Sequence, residues 1–190
     1  MRADAQRNVD ALLATAKQVF ATTGVDAPVR EIADKAGVGI GTLYRHFPKR
    51  SDLVAAVFRR EIDECADAAT ALAKEHAPFD ALAQWMQRFV VFFATKRGLA
   101  SAVQSGDPAF KALPAHFDKR LRPALASLID DAASAGEIRT DVTANDVLNA
   151  VAQLCLPSRD NNSGQAERMV ALLADGLRYS TIQSRKNPAD

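Results

Sequence analysis

Apolar residues recur at intervals of three and four along nearly the whole chain, the spacing of one face of an α-helix. The first such stripe is formed by Val9, Leu12, Leu13, Ala16, Val19 and Phe20. No stretch alternates apolar and polar residues with the period of two that marks a half-buried strand. The pattern therefore predicts an all-α protein.

Glycine and proline residues divide the N-terminal part into three helices. The first helix should end at Gly24, because glycine suits the left-handed turn after a helix, and Pro28 suits the first turn of the second. The second helix should stop at Gly37, and a short third helix should end before Pro48. Two short helices joined by a glycine-containing turn indicate a helix-turn-helix, whose second helix enters the DNA major groove.

A larger helical region follows. One long helix is predicted from about Arg50 to His76. Further helices are predicted near 79–95, 99–104, 108–112, 115–135, 143–156 and 164–182. We therefore divide the chain into a three-helix domain over residues 1–50, a larger helical domain over 51–184 and a disordered tail over 185–190.

Charge is unevenly distributed along the chain. Residues 1–60 carry a net charge of +4 and residues 61–190 a net charge of −3, so only the front of the chain suits a polyanion. The two cysteines are far apart and belong to no Cys/His cluster, so neither a disulfide nor a metal site is predicted, and no cofactor. With no apolar run of membrane-spanning length and no signal peptide, we expect a cytoplasmic protein that does not enter a membrane.

The segment from Val29 to Leu53 contains four short elements in order: Ile-Ala, Ala-Gly-Val, Gly-Thr-Leu-Tyr and His-Phe. At this spacing it closely resembles the DNA-binding signature of TetR-family transcriptional regulators, over about the first sixty residues. The resemblance implies an operator-binding regulator. Where many relatives begin the second helix with Ser or Thr, this chain has Ala27 and Pro28, and Asp26 is the candidate replacement for the capping hydroxyl.

Residues of two kinds are expected in this segment. A buried wedge should fix the two helices at a steep angle, and it consists of Ile32, Ala33, Val38, Leu43 and Phe47. The residues predicted to bind DNA are Arg30, Gly39, Ile40, Gly41, Thr42, Tyr44, Arg45, His46 and Arg50. The resemblance implies that Arg30 points toward a base and that Arg50 replaces a phosphate-contacting lysine. The alternative is an ordinary amphipathic surface, which we favour for Arg59 and Arg60.

Most aromatic residues lie in the middle third of the chain, where the family resemblance implies a cavity for a small-molecule effector. The candidate pocket residues are Trp85, Phe89, Phe93, Phe117, Leu121 and Gln153. The alternative is that these side chains only fill the core. This half of the chain is weakly similar to an SbtR-like subgroup, through Gly98-Leu-Ala and a stretch that contains Gly136-Glu-Ile-Arg.

Apolar stripes on the helices near 143–156 and 164–182 predict a homodimer through a two-fold four-helix interface. The stripes consist of Val147, Val151 and Leu154, and of Met169, Leu172, Leu173, Gly176 and Leu177. The alternative is packing inside one monomer. A dimer is favoured because a helix-turn-helix reads symmetric half-sites with two copies.

These observations predict a ligand-responsive repressor that binds a palindromic operator as a homodimer and is released by a small-molecule effector. Activation by the same fold is an alternative. An enzyme is disfavoured because the chain has no Gly-rich phosphate loop, no GxSxG and no HExxH motif. A helical adaptor without DNA-binding activity is disfavoured by the basic front segment.

Overall fold

The computed structural model describes residues 2–94, 105–156 and 164–186. These ranges contain eight α-helices: α1 (Arg2–Thr23), α2 (Val29–Lys35), α3 (Ile40–His46), α4 (Arg50–Glu75), α5 (Pro78–Ala94), α6 (Leu113–Ser134), α7 (Ala144–Leu154) and α8 (Gln165–Lys186). A 3-10 helix, Pro108–Phe110, lies before α6. The described residues contain no strand, which confirms the predicted all-α class.

The chain divides into two compact units, Met1–Glu61 with Ala94–His116 and Ile62–Phe93 with Phe117–Asp190. The first unit, which we call the head, thus includes the first turns of α4 and residues 105–116, beyond the boundary predicted after residue 50. Leu53 and Phe58 of α4 are buried, as are Phe110 and Leu113. Residues from a distant part of the chain therefore belong to the compact unit that holds the three N-terminal helices.

Within the head, α1 packs against α2 and α3, and α2 packs against α3. The five predicted wedge residues are all buried, with exposures from 0% to 8%. Gly37 has φ = +65°, a left-handed conformation that costs a residue with a Cβ atom about 1–2 kcal/mol, so glycine is favoured at this turn. The helix-turn-helix prediction is confirmed.

Two ion pairs join α1 to α4 inside the head. Lys17 pairs with Glu61, which is only 8% exposed, and Arg60 donates to Asp10 at 2.9 Å. The second pair shows that Arg60, which we expected on a solvated face, has a structural partner. Salt bridges therefore connect α1 to the part of α4 that belongs to the head.

The second unit is held by polar contacts as well as apolar packing. Arg120 on α6 donates to Asp63 at 2.7 Å and to Asp67 at 2.5 Å, two carboxylates one turn apart on α4. Helix α7 begins with a capping box, in which Thr143 and Asp146 each satisfy the other's backbone N–H. Helices α7 and α8 pack against each other.

Three predicted segments differ from the structure. Within the segment 108–112, only Pro108–Phe110 is helical, and it forms a 3-10 helix rather than an α-helix, with Asp107 as its cap and Pro108 in its first position. Helix α8 extends to Lys186, so residues 185 and 186 are helical although we placed them in the tail. The helix predicted at 99–104 and residues 187–190 lie outside the described ranges. In the described part of the chain, no helix is both long and apolar enough to cross a membrane.

Candidate nucleic-acid interface

Helix α3 has an inner and an outer face. Leu43 is buried, and Phe47, one turn later at the end of the helix, is buried beside it. Gly41, Tyr44 and Arg45 form the opposite stripe and are exposed, with 47% of Tyr44 accessible. The amphipathic pattern therefore fixes the inner side of α3 against the head and leaves the outer side open to a partner.

The cations of the head differ in whether they have an ion-pair partner. Four of them have ion-pair partners within the head: Arg7 with Asp4, Lys17 with Glu61, Lys35 with Glu31 and Arg60 with Asp10. Arg30 and Arg45 are exposed and form no ion pair or side-chain hydrogen bond in the described part of the chain. An unpaired guanidinium retains all five N–H donors for phosphate oxygens or base edges.

The remaining predicted contact residues lie at the ends of α3 and the start of α4. Gly39 is exposed, whereas Ile40, Thr42 and His46 are half-buried. Arg50 is half-buried and donates from Nη1 to the Val25 carbonyl oxygen at 3.2 Å, which fixes the guanidinium against the turn before α2. That bond uses one donor of five and leaves the charge of Arg50 unneutralised.

The expected cap of α2 is absent. The N-cap residue is Pro28, and no side chain accepts a hydrogen bond from the first turn of the helix. The suggestion that Asp26 replaces the missing hydroxyl is therefore wrong. Gly39 likewise gives α3 no side-chain cap.

Four of the six predicted effector residues form an aromatic cluster in the second unit. Trp85 and Phe89 stack at 5.4 Å, and the Phe89 ring lies 5.5 Å from Phe93 and 6.2 Å from Phe117. Trp85 donates its indole N–H to the Cys65 carbonyl oxygen of α4 at 2.9 Å. Because Trp85 and Phe89 are fully buried, both are core residues, whether or not they also line an effector pocket.

The other two predicted pocket residues differ from each other. Leu121, one turn after Phe117 on α6, is fully buried. Gln153 on α7 is exposed. A separate open groove of about 430 Å³ runs between α5 and α8 and contains none of the six predicted residues. Sequence reasoning missed this groove, whose lining includes Phe79 and Ala174.

The apolar stripes of α7 and α8 are divided between the inside and the outside of the unit. Val147, Val151 and Leu177 are buried within the monomer, so they cannot form the predicted interface with a second copy. Leu172 is 62% exposed and Gly176 is exposed, while Leu154, Met169 and Leu173 are half-buried. The outer face of α8 therefore remains the candidate dimer surface.

Comparison with known proteins decides the family. Residues 12–57 match the family model "Bacterial regulatory proteins, tetR family", and residues 77–179, more than half of the chain, match "Transcriptional regulator SbtR-like, C-terminal domain". The chain belongs to the TetR family. The weak similarity noted between its C-terminal half and an SbtR-like subgroup is thereby confirmed.

Individual relatives agree with this assignment. A TetR regulator of Streptomyces coelicolor is 38% identical, with a TM-score of 0.75 over 90% of this chain and 98% of that one. A TetR regulatory protein of Mycobacterium vanbaalenii is 35% identical, with a TM-score of 0.72 over 93% and 98% of the two chains. An HTH-type transcriptional regulator of Staphylococcus aureus is 41% identical over 64 residues, which are 33% of this chain and only 35% of that relative.

This TetR-family regulator is therefore a DNA-binding transcriptional regulator, and its family and fold are not those of an enzyme. The head also carries Lys49, a cation beside the predicted DNA contacts that is not among them. Lys49 is exposed and precedes α4, and its backbone N–H donates to Asp52 Oδ2 at 2.9 Å. The position of Lys49 between His46 and Arg50, two predicted DNA contacts, is the sequence signal that could have identified it.

Proposed function

We propose that this TetR-family protein is a repressor that binds a palindromic operator as a homodimer and releases it when a small-molecule effector binds. The observation that carries the proposal is the outer face of α3 with its neighbouring cations. Tyr44 and Arg45 project from a helix whose other side is buried, and Arg30 is exposed on α2 with no ion-pair partner in the ranges that the structure describes. Such groups suit phosphate and base-edge contacts in a major groove.

The DNA contacts are tested by selecting bound fragments from a genomic library with the purified protein. We expect an inverted repeat, and we expect Arg45→Ala to lose most of the enrichment. Loss of one phosphate contact from each of two heads should also reduce the slope of log K against log salt by about 1.8. Arg59→Ala is the matched control, because Arg59 is an exposed cation of the same unit that has no ion-pair partner among the described residues and that we do not place at the DNA.

The two variants separate local contact from general charge. If Arg59→Ala and Arg45→Ala weaken binding equally, the contact assignment is wrong and only the overall charge of the head matters. If the selection enriches no inverted repeat, the palindromic operator is refuted.

The homodimer proposal rests on the exposed apolar face of α8. Leu172, at 62%, is the most exposed large apolar residue among those described in the second unit, and Gly176 lies one turn away with open space where a Cβ atom would be. A small residue beside an exposed leucine allows two helices to approach closely. Two copies are also needed to place two reading heads about 34–36 Å apart on successive turns of DNA.

Sedimentation velocity tests this interface with matched variants. Leu172→Asp should convert the dimer to a monomer, because the introduced carboxylate would be buried against its symmetry mate. Val91→Asp places the same charge at an equally exposed apolar position, 58% accessible, on α5 and should leave the dimer intact. A dimer that survives Leu172→Asp would exclude this face as the interface.

The effector is proposed to bind at the edge of the aromatic cluster, where Phe93 and Phe117 are half-buried. Trp85 is the only tryptophan of the chain and stacks on Phe89, so its fluorescence should report ligands that reach the cluster. In a panel of small aromatic compounds, we expect a compound that changes this fluorescence also to weaken DNA binding. Phe117→Ala should reduce both effects. A hit that changes fluorescence but leaves DNA binding unchanged would contradict the effector role.

Helix α4 provides the proposed connection between effector and DNA. It carries Arg50 in its first turn and, 15 residues later in the sequence, Cys65, whose carbonyl oxygen accepts the Trp85 indole N–H. A displacement of this helix would change the placement of Arg50 at the DNA. A coupling of about 1–3 kcal/mol between the two sites is ordinary for such switches.

A further inference from the structure

The open groove between α5 and α8 lies within the second unit, to which both helices belong. Its volume is about 430 Å³, and its lining is mostly apolar. Cavities that bind small molecules in proteins measure about 300–1,000 Å³ and combine apolar walls with a few polar groups. The groove therefore has the size and the character of a small-molecule site.

Alanines from both helices leave the space between them open. Ala83 on α5 and Ala171 and Ala174 on α8 present only methyl groups to the groove. Longer side chains at these positions would fill it. An apolar body placed between the two helices would thus contact methyl groups on both sides.

The aromatic wall of the groove is held in place by contacts within the unit. Phe79, in the first turn of α5, donates its backbone N–H to Glu137 Oε2 at 2.7 Å. The guanidinium carbon of Arg178 lies 4.3 Å from the centre of the Phe79 ring. Phe79 is buried, so a ligand would meet a wall that is already in position, and ordering this wall would add little to the cost of binding.

The polar part of the lining consists of two amides and one carboxylate. Gln87 donates from Nε2 to the Glu167 carbonyl oxygen at 2.9 Å, which orients its amide and leaves Oε1 as an acceptor. Gln84 and Asp175 are exposed and form no hydrogen bond or ion pair in the described part of the chain. Asp175 is the only charged residue among those described that line the groove. Arg178, three residues later, packs on the aromatic wall and does not pair with this carboxylate.

We propose that this groove binds a small amphipathic amine, in addition to the effector that binds at the aromatic cluster. The apolar part of the ligand packs between the alanines and Phe79, and its ammonium pairs with Asp175. Gln84 and Gln87 offer carbonyl oxygens to the remaining ammonium hydrogens. A carboxylate without an internal cation favours a cationic ligand over a neutral or anionic one, because the charges are complementary. The residues predicted to contact effector or DNA do not line the groove, so the inference is independent of both placements.

The test uses three probes with one skeleton, 2-phenylethylamine, 2-phenylethanol and 3-phenylpropionate, whose ends are positive, neutral and negative. The protein is labelled at its alanine methyl groups, and each probe is titrated to about 10 mM, because small ligands bind weakly. We expect the amine to shift the NMR signals of Ala83, Ala171 and Ala174 at the lowest concentration. One exposed ion pair changes affinity by about 1.4-fold to fivefold, so the alcohol should bind more weakly by this factor and the acid more weakly still.

Matched variants locate the site. Asp175→Asn should lower the affinity for the amine by the same factor and leave that for the alcohol unchanged, whereas Asp130→Asn, at an exposed carboxylate of α6, should change neither. Ala83→Phe fills the groove from α5 rather than from the proposed dimer surface of α8, so it should abolish the remaining alanine shifts. Phe117→Ala, in the aromatic cluster, should leave the alanine shifts unchanged.

Other results overturn the inference. It is wrong if no probe shifts the signals of the groove alanines, if the three probes bind equally, or if Asp175→Asn leaves the preference for the amine intact. If a second copy of the chain occupies the groove instead, Ala83→Phe will change the oligomeric state in sedimentation velocity without any ligand, and the inference is again wrong. None of these results bears on the DNA contacts or on the effector site at Phe117, which have tests of their own.

Discussion

The ion pair between Lys17 and Glu61 offers the sharpest test of how the head is held together. Glu61 on α4 is only 8% exposed, whereas the side chain of its partner on α1 is 41% exposed. Lys17→Met keeps most of the aliphatic volume and removes the charge. Glu61 is then left with a poorly solvated carboxylate and without its cation, so α1 should pack less stably on α4.

The magnitude follows from the exposure of the two partners. Loss of one member of a fully buried pair costs about 3–5 kcal/mol, and an exposed pair contributes about 0–1 kcal/mol. Because Lys17 is partly solvated, we expect Lys17→Met to lower the free energy of unfolding by about 1–3 kcal/mol. At roughly 2–4 °C per kcal/mol for a chain of this size, the melting temperature should fall by several degrees.

Urea denaturation measures this change. All variants are compared at one protein concentration, because the apparent stability of a protein that self-associates depends on its concentration. The double variant Lys17→Met/Glu61→Gln should recover part of the loss, because it removes the stranded carboxylate. Arg7→Met is the matched control on the same helix, since Arg7 and its partner Asp4 are 75% and 64% exposed. If Lys17→Met costs no more than Arg7→Met, burial of Glu61 does not govern the energy of this contact and our reasoning is refuted.

Three further predictions concern local structure. The Thr143 hydroxyl, followed by the Thr143 N–H, lowers the folded-state pKa of Asp146, so the Asp146 carboxylate should stabilise the fold above about pH 4 and lose this effect as pH falls through that folded pKa. The melting temperature should therefore fall more steeply in acid for the wild type than for Asp146→Asn. Parallel curves would contradict this. Gly37→Ala should lower the free energy of unfolding in urea by about 1 kcal/mol because φ at this position is +65°, even though the new Cβ would meet no atom within 4 Å. The control Gly41→Ala, at an ordinary φ, should not destabilise the fold. Phe89→Ala should cost about 3–5 kcal/mol in the same assay, and a near-neutral result would show that the aromatic cluster is not packed core.

The head could be predicted in detail because its signals are local. The spacing of Ile32, Leu43 and Phe47 already separates the inner faces of two short helices, and Gly37 marks the turn between them. Each feature depends on residues within one or two turns of each other. The structure buries these positions as expected.

The second unit was predicted less completely because contacts between residues far apart in the sequence determine which of its apolar side chains are buried. An apolar stripe on a helix shows that one face is buried but does not identify the surface that covers it. Val151 and Leu172 belong to stripes of the same kind, yet one is fully buried within the monomer and the other is 62% exposed. Gln153 is a pocket candidate only through the family resemblance, and its exposure on α7 depends on packing that no local pattern encodes.

Charge shows the same division between local and long-range information. The net charge of the first sixty residues indicates that this region suits DNA, but it does not say which cations are available. The fold decides this, because α4 supplies Glu61 to pair with Lys17 and Arg60 to pair with Asp10 of α1. Arg30 and Arg45 have no such partner in the described part of the chain. The surface that we propose binds DNA therefore depends both on the motif that exposes one face of α3 and on the internal ion pairs that neutralise other cations of the head.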